Sequence, residues 1–408
     1  MNNKIELLAP AGDLEKLKTA IIYGADAVYF GGELFSLRAG AGNLTIDEIR
    51  EAMDFVHAHG CKGYMTINIY PHNEDIPLLR NYIGKLKDLP IDAFIVSDPG
   101  VIMMVREQIP DAEIHLSTQA NTTNFVTANF WASLGVKRIV SAREMSIKDL
   151  AEMKRQLPED VEIESFIHGA MCISYSGRCL LSNFMVGRDA NRGACTHPCR
   201  WKYALMEEKR PGEYFPIEED GRGSYILNSR DMCMIDSIPE LVNAGVTSFK
   251  IEGRMKSMYY VATIVSAYRA AIDAYLADPD NYKYDEKYFK ELCKASHREF
   301  THGFYFNKPT DKDQNYLTSE YTRDYSFVGL IKGYEESTGL TIVEQRNKFE
   351  VGDVIEVFGP RTEFYEETIT EMYDEEGNVV TSAPHPQQVL KIRFNRKPDV
   401  DFIMRKKK

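Results

Sequence analysis

Ile5-Glu6-Leu7-Leu8-Ala9, Ala27-Val28-Tyr29-Phe30, Gly63 to Ile69, Ala93-Phe94-Ile95-Val96-Ser97, Glu113 to Ser117, Arg138-Ile139-Val140-Ser141, Val161 to Ile167 and Ser248-Phe249-Lys250-Ile251 are eight short apolar runs of β-favouring composition. Amphipathic stretches such as Thr45 to His59 and Ile76 to Leu89 follow most of them. Strands buried on both faces read as continuous apolar runs, and their alternation with helices is the signature of a parallel sheet. Eight of them predict an α/β fold, a closed (β/α)8 TIM-like barrel rather than an open sheet.

Working outward, the spacing breaks once. Between the seventh and eighth strands, Gly169 to Arg230 inserts a polar, Gly-rich segment carrying four cysteines, too long for a simple connection. After the eighth strand, Met258 to Leu276 reads as a closing helix ended by Asp278-Pro279-Asp280. Beyond Asp324 the runs Phe327 to Ile331, Thr341 to Glu344, Val354 to Phe358 and Gln388 to Phe394 alternate, with turns at Gly352-Asp353 and Glu376-Gly377-Asn378. The expected domains are a barrel over 1–310, with its cysteine-bearing insertion at about 169–233 before the eighth strand, and a small C-terminal all-β barrel over 324–408.

The 408 residues carry a net charge of −12, which gives no global attraction to a polyanion. An RNA site must therefore be a local patch, with Arg188, Arg192, Arg200 and Lys202 as one candidate and Lys250, Arg254 and Lys256 as another. The basic Arg405-Lys406-Lys407-Lys408 reads first as a frayed, solvated end. The N-terminal apolar run is short and broken by Glu6, and no run approaches the ~20 apolar residues of a membrane helix, so a soluble cytoplasmic chain with no membrane partner is expected. Seven cysteines in that compartment are thiols or metal ligands rather than disulfides.

In a TIM-like barrel the site lies where the strands end. Those ends read Pro10-Ala11-Gly12-Asp13, Gly31-Gly32-Glu33, Asn68, Asp98-Pro99-Gly100, Gln119-Ala120-Asn121, Arg143-Glu144, His168-Gly169 and Glu252-Gly253-Arg254. For any one of them helix capping is an equal reading, and Asp13 is the plainest case. The cysteines are more specific. Six residues separate Cys172 from Cys179, fifteen more lead to Cys195, three to Cys199, and Cys233 opens the last βα unit. Only Cys195 with Cys199 has zinc-like spacing, so a four-thiolate iron–sulfur cluster suits the set better than zinc or an inert buried group. Cys61 and Cys293 read as core. There is no His-Glu-x-x-His helix, Gly-x-Ser-x-Gly elbow or phosphate loop, although a Cys172–His168 nucleophile pair is compatible with the spacing.

Glu164-Ser165-Phe166-Ile167-His168-Gly169-Ala170-Met171-Cys172, continued to Ser182, resembles the signature of the collagenase-like peptidase family of unassigned catalytic type. Arg192-Gly193-Ala194-Cys195 through Cys199-Arg200-Trp201-Lys202-Tyr203, Asn228 to Cys233, and Phe249 to Ser257 agree with it, as do Leu8-Ala9-Pro10-Ala11-Gly12 and the β-rich C-terminal region. The resemblance implies hydroxylation chemistry as well as the proteolysis of the family's name. Its branches make 5-hydroxyuridine at the tRNA wobble position with prephenate, hydroxylate a ribosomal-RNA cytidine, or serve anaerobic ubiquinone hydroxylation with a [4Fe-4S] cluster. Chain length and the C-terminal domain are most similar to the tRNA branch. By resemblance to the ubiquinone proteins, the metal ligands are Cys172, Cys179, Cys195 and Cys233, with Cys199 the alternative. Arg143, Lys250 and Arg254 are then offered to a small carboxylate cosubstrate such as prephenate, or to tRNA phosphate, and His168 and Glu252 to proton handling. A peptidase and a non-catalytic RNA- or protein-binding module are the alternatives.

Overall fold

The computed structural model describes residues 5–38, 41–172, 174–201, 204–205, 212, 215–216, 229–308 and 321–408. Lys202 of the first basic patch lies outside them, as do Ile173, Tyr203 and Asn228 of the motifs quoted above.

Strands β1 (Glu6–Ala11), β2 (Ala27–Gly31), β3 (Lys62–Ile67), β4 (Ala93–Val96), β5 (Ile114–Leu116), β6 (Arg138–Val140) and β7 (Glu162–Ala170) run parallel, each paired with the next. The eighth barrel strand, Ser248–Ile251, closes the ring by pairing in parallel with β7 (Ser248 against Glu164) and with β1 (Glu6 against Ser248). Several of the helices between them start at side-chain caps that satisfy their first free N–H groups. Asp13 caps α1 (Leu14–Ile22) through Lys16 N at 2.9 Å, and Thr45 with Glu48 forms a capping box on α2 (Ile46–Ala58). Asp98 caps the helix Pro99–Gln108 through Val101 N. Asp13 and Asp98, both at the rim, are thus structural.

The barrel interior is laced with ion pairs. Arg138 donates to Glu6 at 2.6 Å and to Glu164 at 3.3 Å, and Lys250 donates to the other Glu164 oxygen at 2.6 Å. A buried charge is tolerable when paired and hydrogen-bonded, and here each is. Above this network Tyr29, Ile95, Val140 and Phe166 form the apolar floor of the barrel mouth.

Strand β7 runs past the barrel to Ala170, beyond the expected end at Ile167, because its last residues pair with Asp231–Cys233, antiparallel and outside the ring. Cys233 therefore sits on this outer strand, and the short helix Ile238–Asn243 follows it before the eighth barrel strand. The closing helix spans Met258–Ala277.

The C-terminal residues form a seven-stranded antiparallel sheet of Tyr325–Glu335, Leu340–Gln345, Val354–Phe358, Tyr365–Thr368, Met372–Tyr373, Val389–Ile392 and Ile403–Lys407, curled around its own apolar core. The basic C-terminal run is not a frayed end. Ile403–Lys407 pairs with strands on both sides, and Arg405 is fully buried. Its guanidinium holds Glu356 at 2.7 Å and both oxygens of Glu291 on the barrel side. Tyr23 adds a bond to the Asp401 carbonyl at 2.8 Å. Among the described residues no helix is long and apolar enough to cross a membrane.

Candidate active site at the barrel mouth

A cleft of about 480 Å³, counting the space open to solvent, occupies the C-terminal mouth of the barrel. It is lined at its polar wall by Arg38, Asn68, Gln119, Arg143, Lys250, Glu252 and Arg254. Four of the strand ends singled out from sequence thus contribute five residues, Asn68, Gln119, Arg143, Glu252 and Arg254, together with Lys250 from inside the eighth strand.

Glu252 is the hinge of the charge pattern. One carboxylate oxygen accepts from Arg143 Nη2 at 3.0 Å and the other from Arg38 Nη2 at 3.2 Å. Burial pushes its carboxyl pKa up, but Arg38, Arg143, Lys250 and Arg254 together outweigh that and hold it below the ordinary carboxylate value. Arg143 also stacks 4.0 Å over the Phe166 ring and reaches the Cys172 sulfur at 3.9 Å. Lys250 lies 4.2 Å over Tyr29.

Among the described residues Arg254 has no carboxylate within ion-pair distance. It donates to Ser36 Oγ at 2.7 Å, Thr66 Oγ1 at 2.8 Å, Asn43 Oδ1 at 3.1 Å and the Leu37 carbonyl. Burial, with the charge of Arg38 behind it, brings its pKa down to about 10, so it remains a cation at neutral pH. A Cβ on Gly31 would come within 2.4 Å of Ser36 Oγ and 2.9 Å of Arg254 Nη1, so only glycine lets β2 pass this close. The loop after β2 carries three non-glycine residues in the left-handed region, Phe35, Arg38 and Asn43. Strain of this kind is held in place only by tight surroundings and is common at functional sites. Arg38 was not among the residues singled out from sequence. Its only signal there is a basic residue in a long βα loop.

Four cations, Arg38, Arg143, Lys250 and Arg254, face two carboxylates, Glu252 and Glu164, leaving a surplus of two positive charges at the mouth. Such a site attracts a small dianion.

The cysteine segment leans over this mouth. Gly177 sits at φ +74°, where a Cβ would meet Tyr70 Oη at 2.3 Å and the Gln119 carbonyl at 2.8 Å. Arg192 forms a bidentate pair with Asp75 (2.7 and 2.9 Å), which ties the segment to the rim. Cys172, Cys179, Cys195 and Cys199 lie within electrostatic reach of one another, and Arg38 feels both Cys172 and Cys195. Burial raises the thiol pKa of Cys195, and that of Cys199 to about 11. Among the described residues no three His, Cys, Asp or Glu side chains meet at a common point. The four thiols share a neighbourhood, and as a soft sulfur donor set they suit an iron–sulfur cluster. Cys233 is buried elsewhere. It contacts Tyr268 Oη at 3.7 Å, its charged neighbours are Asp236 and Cys293, and burial raises its thiol to about 12.

His168 is not brought to the mouth. It is buried among Tyr260, Tyr268 and Phe300, and its Nδ1 lies 3.4 Å from Tyr268 Oη, while Cys172 has Arg143 as its neighbour. Burial, with the nearby Lys256 charge, lowers its pKa to about 3. The unfolded chain, with a histidine pKa of ~6.5, takes up this proton first, so stability falls as pH drops from ~6.5 toward 3. Between pH 7 and pH 5 His168 alone should cost about 2 kcal/mol. Urea denaturation at the two pH values should show this extra loss in the wild type and not in His168→Phe, which suits the aromatic cage; equal losses would show that His168 is already accessible to protons.

The model of Peptidase family U32 matches residues 12–315, and that of the Peptidase family U32 C-terminal domain matches residues 323–405. Among curated relatives, tRNA hydroxylation protein P1 of Bacillus subtilis is 44% identical over 408 residues, covering 100% of this chain and 96% of the relative. The tRNA hydroxylation protein P of Escherichia coli is 37% identical over 421 residues, covering 93% and 92%. A more distant relative, named collagenase, from Porphyromonas gingivalis is 33% identical over 377 residues, covering 88% of each. With both models matched and the similarity running from the barrel's first strand to the last strand of the C-terminal sheet, this chain belongs to peptidase family U32.

Proposed function

We propose that this chain is an enzyme that hydroxylates tRNA, forming 5-hydroxyuridine at the wobble position with prephenate as cosubstrate and an iron–sulfur cluster as cofactor. What carries the reading is the end-to-end similarity to relatives named for tRNA hydroxylation. The mouth supports it chemically. Its surplus of two positive charges matches a dicarboxylate such as prephenate, and paired guanidinium groups recognise carboxylates by fork-to-fork hydrogen bonding. Arg38 and Arg143, held in orientation by Glu252, would bind and orient that cosubstrate. Arg254, fixed by four hydrogen bonds, would set the positive field, and Glu252 would hold or release a proton beside it. The leaning cysteine segment would keep water from the floor of the cleft.

For the cluster we propose the ligand set Cys172, Cys179, Cys195 and Cys199, with Cys199 taking the place expected for Cys233. When bound, the cluster supplies one-electron redox chemistry, while Arg143 and Arg38 balance the negative charge of its thiolates. Anaerobically purified Cys199→Ala should lose most of its iron, whereas Cys233→Ala should keep it; the reverse pattern would restore Cys233 as the fourth ligand.

The collagenase-named relative is the observation that favours a peptidase. Cys172 has Arg143 as its neighbour while His168 is buried against Tyr268, which weighs against a Cys172–His168 nucleophile. The function is tested by nucleoside mass spectrometry of tRNA from cells lacking the gene. Loss of the hydroxylated wobble uridine, regained on complementation, is expected; an unchanged profile would sink the hydroxylation reading.

A further inference from the structure

Beyond the mouth, three cations surround one tyrosine. Lys256 Nζ stands 3.9 Å from the centre of the Tyr321 ring, the Arg298 guanidinium 4.6 Å from it, and Arg200 Nη1 donates to Tyr321 Oη at 3.4 Å. Arg298 is only 3% exposed, yet its Nε and Nη1 find no hydrogen-bond partner among the described residues. A buried guanidinium with two unmet donors is costly unless something fills them. Among the described residues the one carboxylate directly against it is Asp231, which accepts from the Arg298 backbone N–H at 3.2 Å and leaves its other oxygen unpaired. Three cations thus face one anion among the described residues, while Lys256, Arg200 and Tyr321 are only half-buried and open the group to solvent.

The group borders the mouth. Lys256 lies 5.0 Å over the ring of Tyr260, whose hydroxyl donates to the Glu252 carbonyl at 3.1 Å. His197 is within electrostatic reach of Arg38 and Glu252 at the mouth and of Arg200 and Arg298 in this group.

We infer that Arg200, Lys256 and Arg298, gathered on Tyr321, form an oxyanion subsite that receives a backbone phosphate of the RNA next to the nucleotide entering the mouth. This rests on the tRNA reading above. A phosphodiester supplies the acceptor oxygens that the buried Arg298 donors lack, and a fixed phosphate sets register without reading sequence. It also places the chain's RNA affinity in a local cationic group, as a net charge of −12 requires.

The test is fluorescence anisotropy of the full-length chain with an unmodified tRNA transcript, from about 50 to about 200 mM salt. Arg298→Gln and Lys256→Gln should each weaken binding about five- to tenfold at low salt and reduce the slope of log affinity against log salt by about 0.7 to 1. In parallel, inorganic phosphate at constant ionic strength should raise the melting temperature of the wild type and not of Arg298→Gln. If the buried Arg298 variant does not fold, the half-exposed Lys256→Gln carries both readouts. Wild-type binding with unchanged affinity and slope in the variants would overturn the subsite alone. A wild-type chain that does not bind the transcript would overturn the tRNA reading itself. Phosphate stabilisation without any change in RNA binding would assign the subsite to a free anion and overturn the RNA assignment.

Discussion

Glu252→Gln should reduce tRNA hydroxylation by about 100-fold, the scale on which a positioned acid–base group contributes, and destabilise the chain by about 2 kcal/mol. The carboxylate holds Arg38 and Arg143 together at 3.2 and 3.0 Å, and its removal leaves four cations against Glu164 alone. Breaking one side of a largely buried ion pair costs more than the pair was worth, because the abandoned charge stays desolvated. The energetic signature has a sign. Because the folded pKa of Glu252 is depressed, its stabilisation is present above the unfolded value of ~4.3 and is lost as pH falls through the folded value, so the wild type should lose more stability in acid than the variant. Urea denaturation measures this component, and nucleoside analysis in a complemented deletion strain measures the other. Wild-type nucleoside levels with Glu252→Gln would remove the residue from the chemistry.

Arg405→Ala should cost about 3 to 5 kcal/mol without touching the mouth. This fully buried guanidinium is the common partner of Glu291, on the barrel side, and Glu356, on the C-terminal sheet. Truncation leaves those carboxylates with one cation among the described residues, Lys294, which lies 3.3 Å from Glu291 and 2.8 Å from Glu356, and with the neutral Tyr325 hydroxyl, which donates to Glu356 at 3.2 Å. Urea denaturation should show the loss, and Arg405→Lys should recover only part of it because an ammonium cannot serve both carboxylates in the same fork. A variant as stable as the wild type would mean that the two carboxylates are solvated by other means.

The barrel was legible because its strands are buried on both faces and therefore read as unbroken apolar runs. Arg143, Glu252 and Arg254 were legible because a barrel mouth is made of strand ends. His168 shares that position in sequence but not in space. The register between β7 and the eighth strand shifts at Lys250/Ile251, so that Lys250 lies opposite Phe166 and Ile251 opposite His168. One extra residue on β7 changes the face that follows, turning His168 away from the mouth that Phe166 lines and toward the closing helix. Arg38 was hidden for the opposite reason. It stands well beyond the end of β2 and reaches the mouth through a loop whose left-handed turns at Phe35, Arg38 and Asn43 are set by packing around Arg254. The basic C-terminal run looked like a solvated tail because the acids that bury Arg405 are more than forty residues away in sequence.

The central claim is that a metal-bearing cysteine segment faces a cationic barrel mouth. Anaerobic purification followed by absorption spectroscopy and iron and sulfide analysis tests it most directly. The account predicts broad absorbance near about 400 nm with about four irons and matching sulfide per chain, lost in Cys172→Ala and Cys179→Ala. Zinc, or no metal under those conditions, would contradict it.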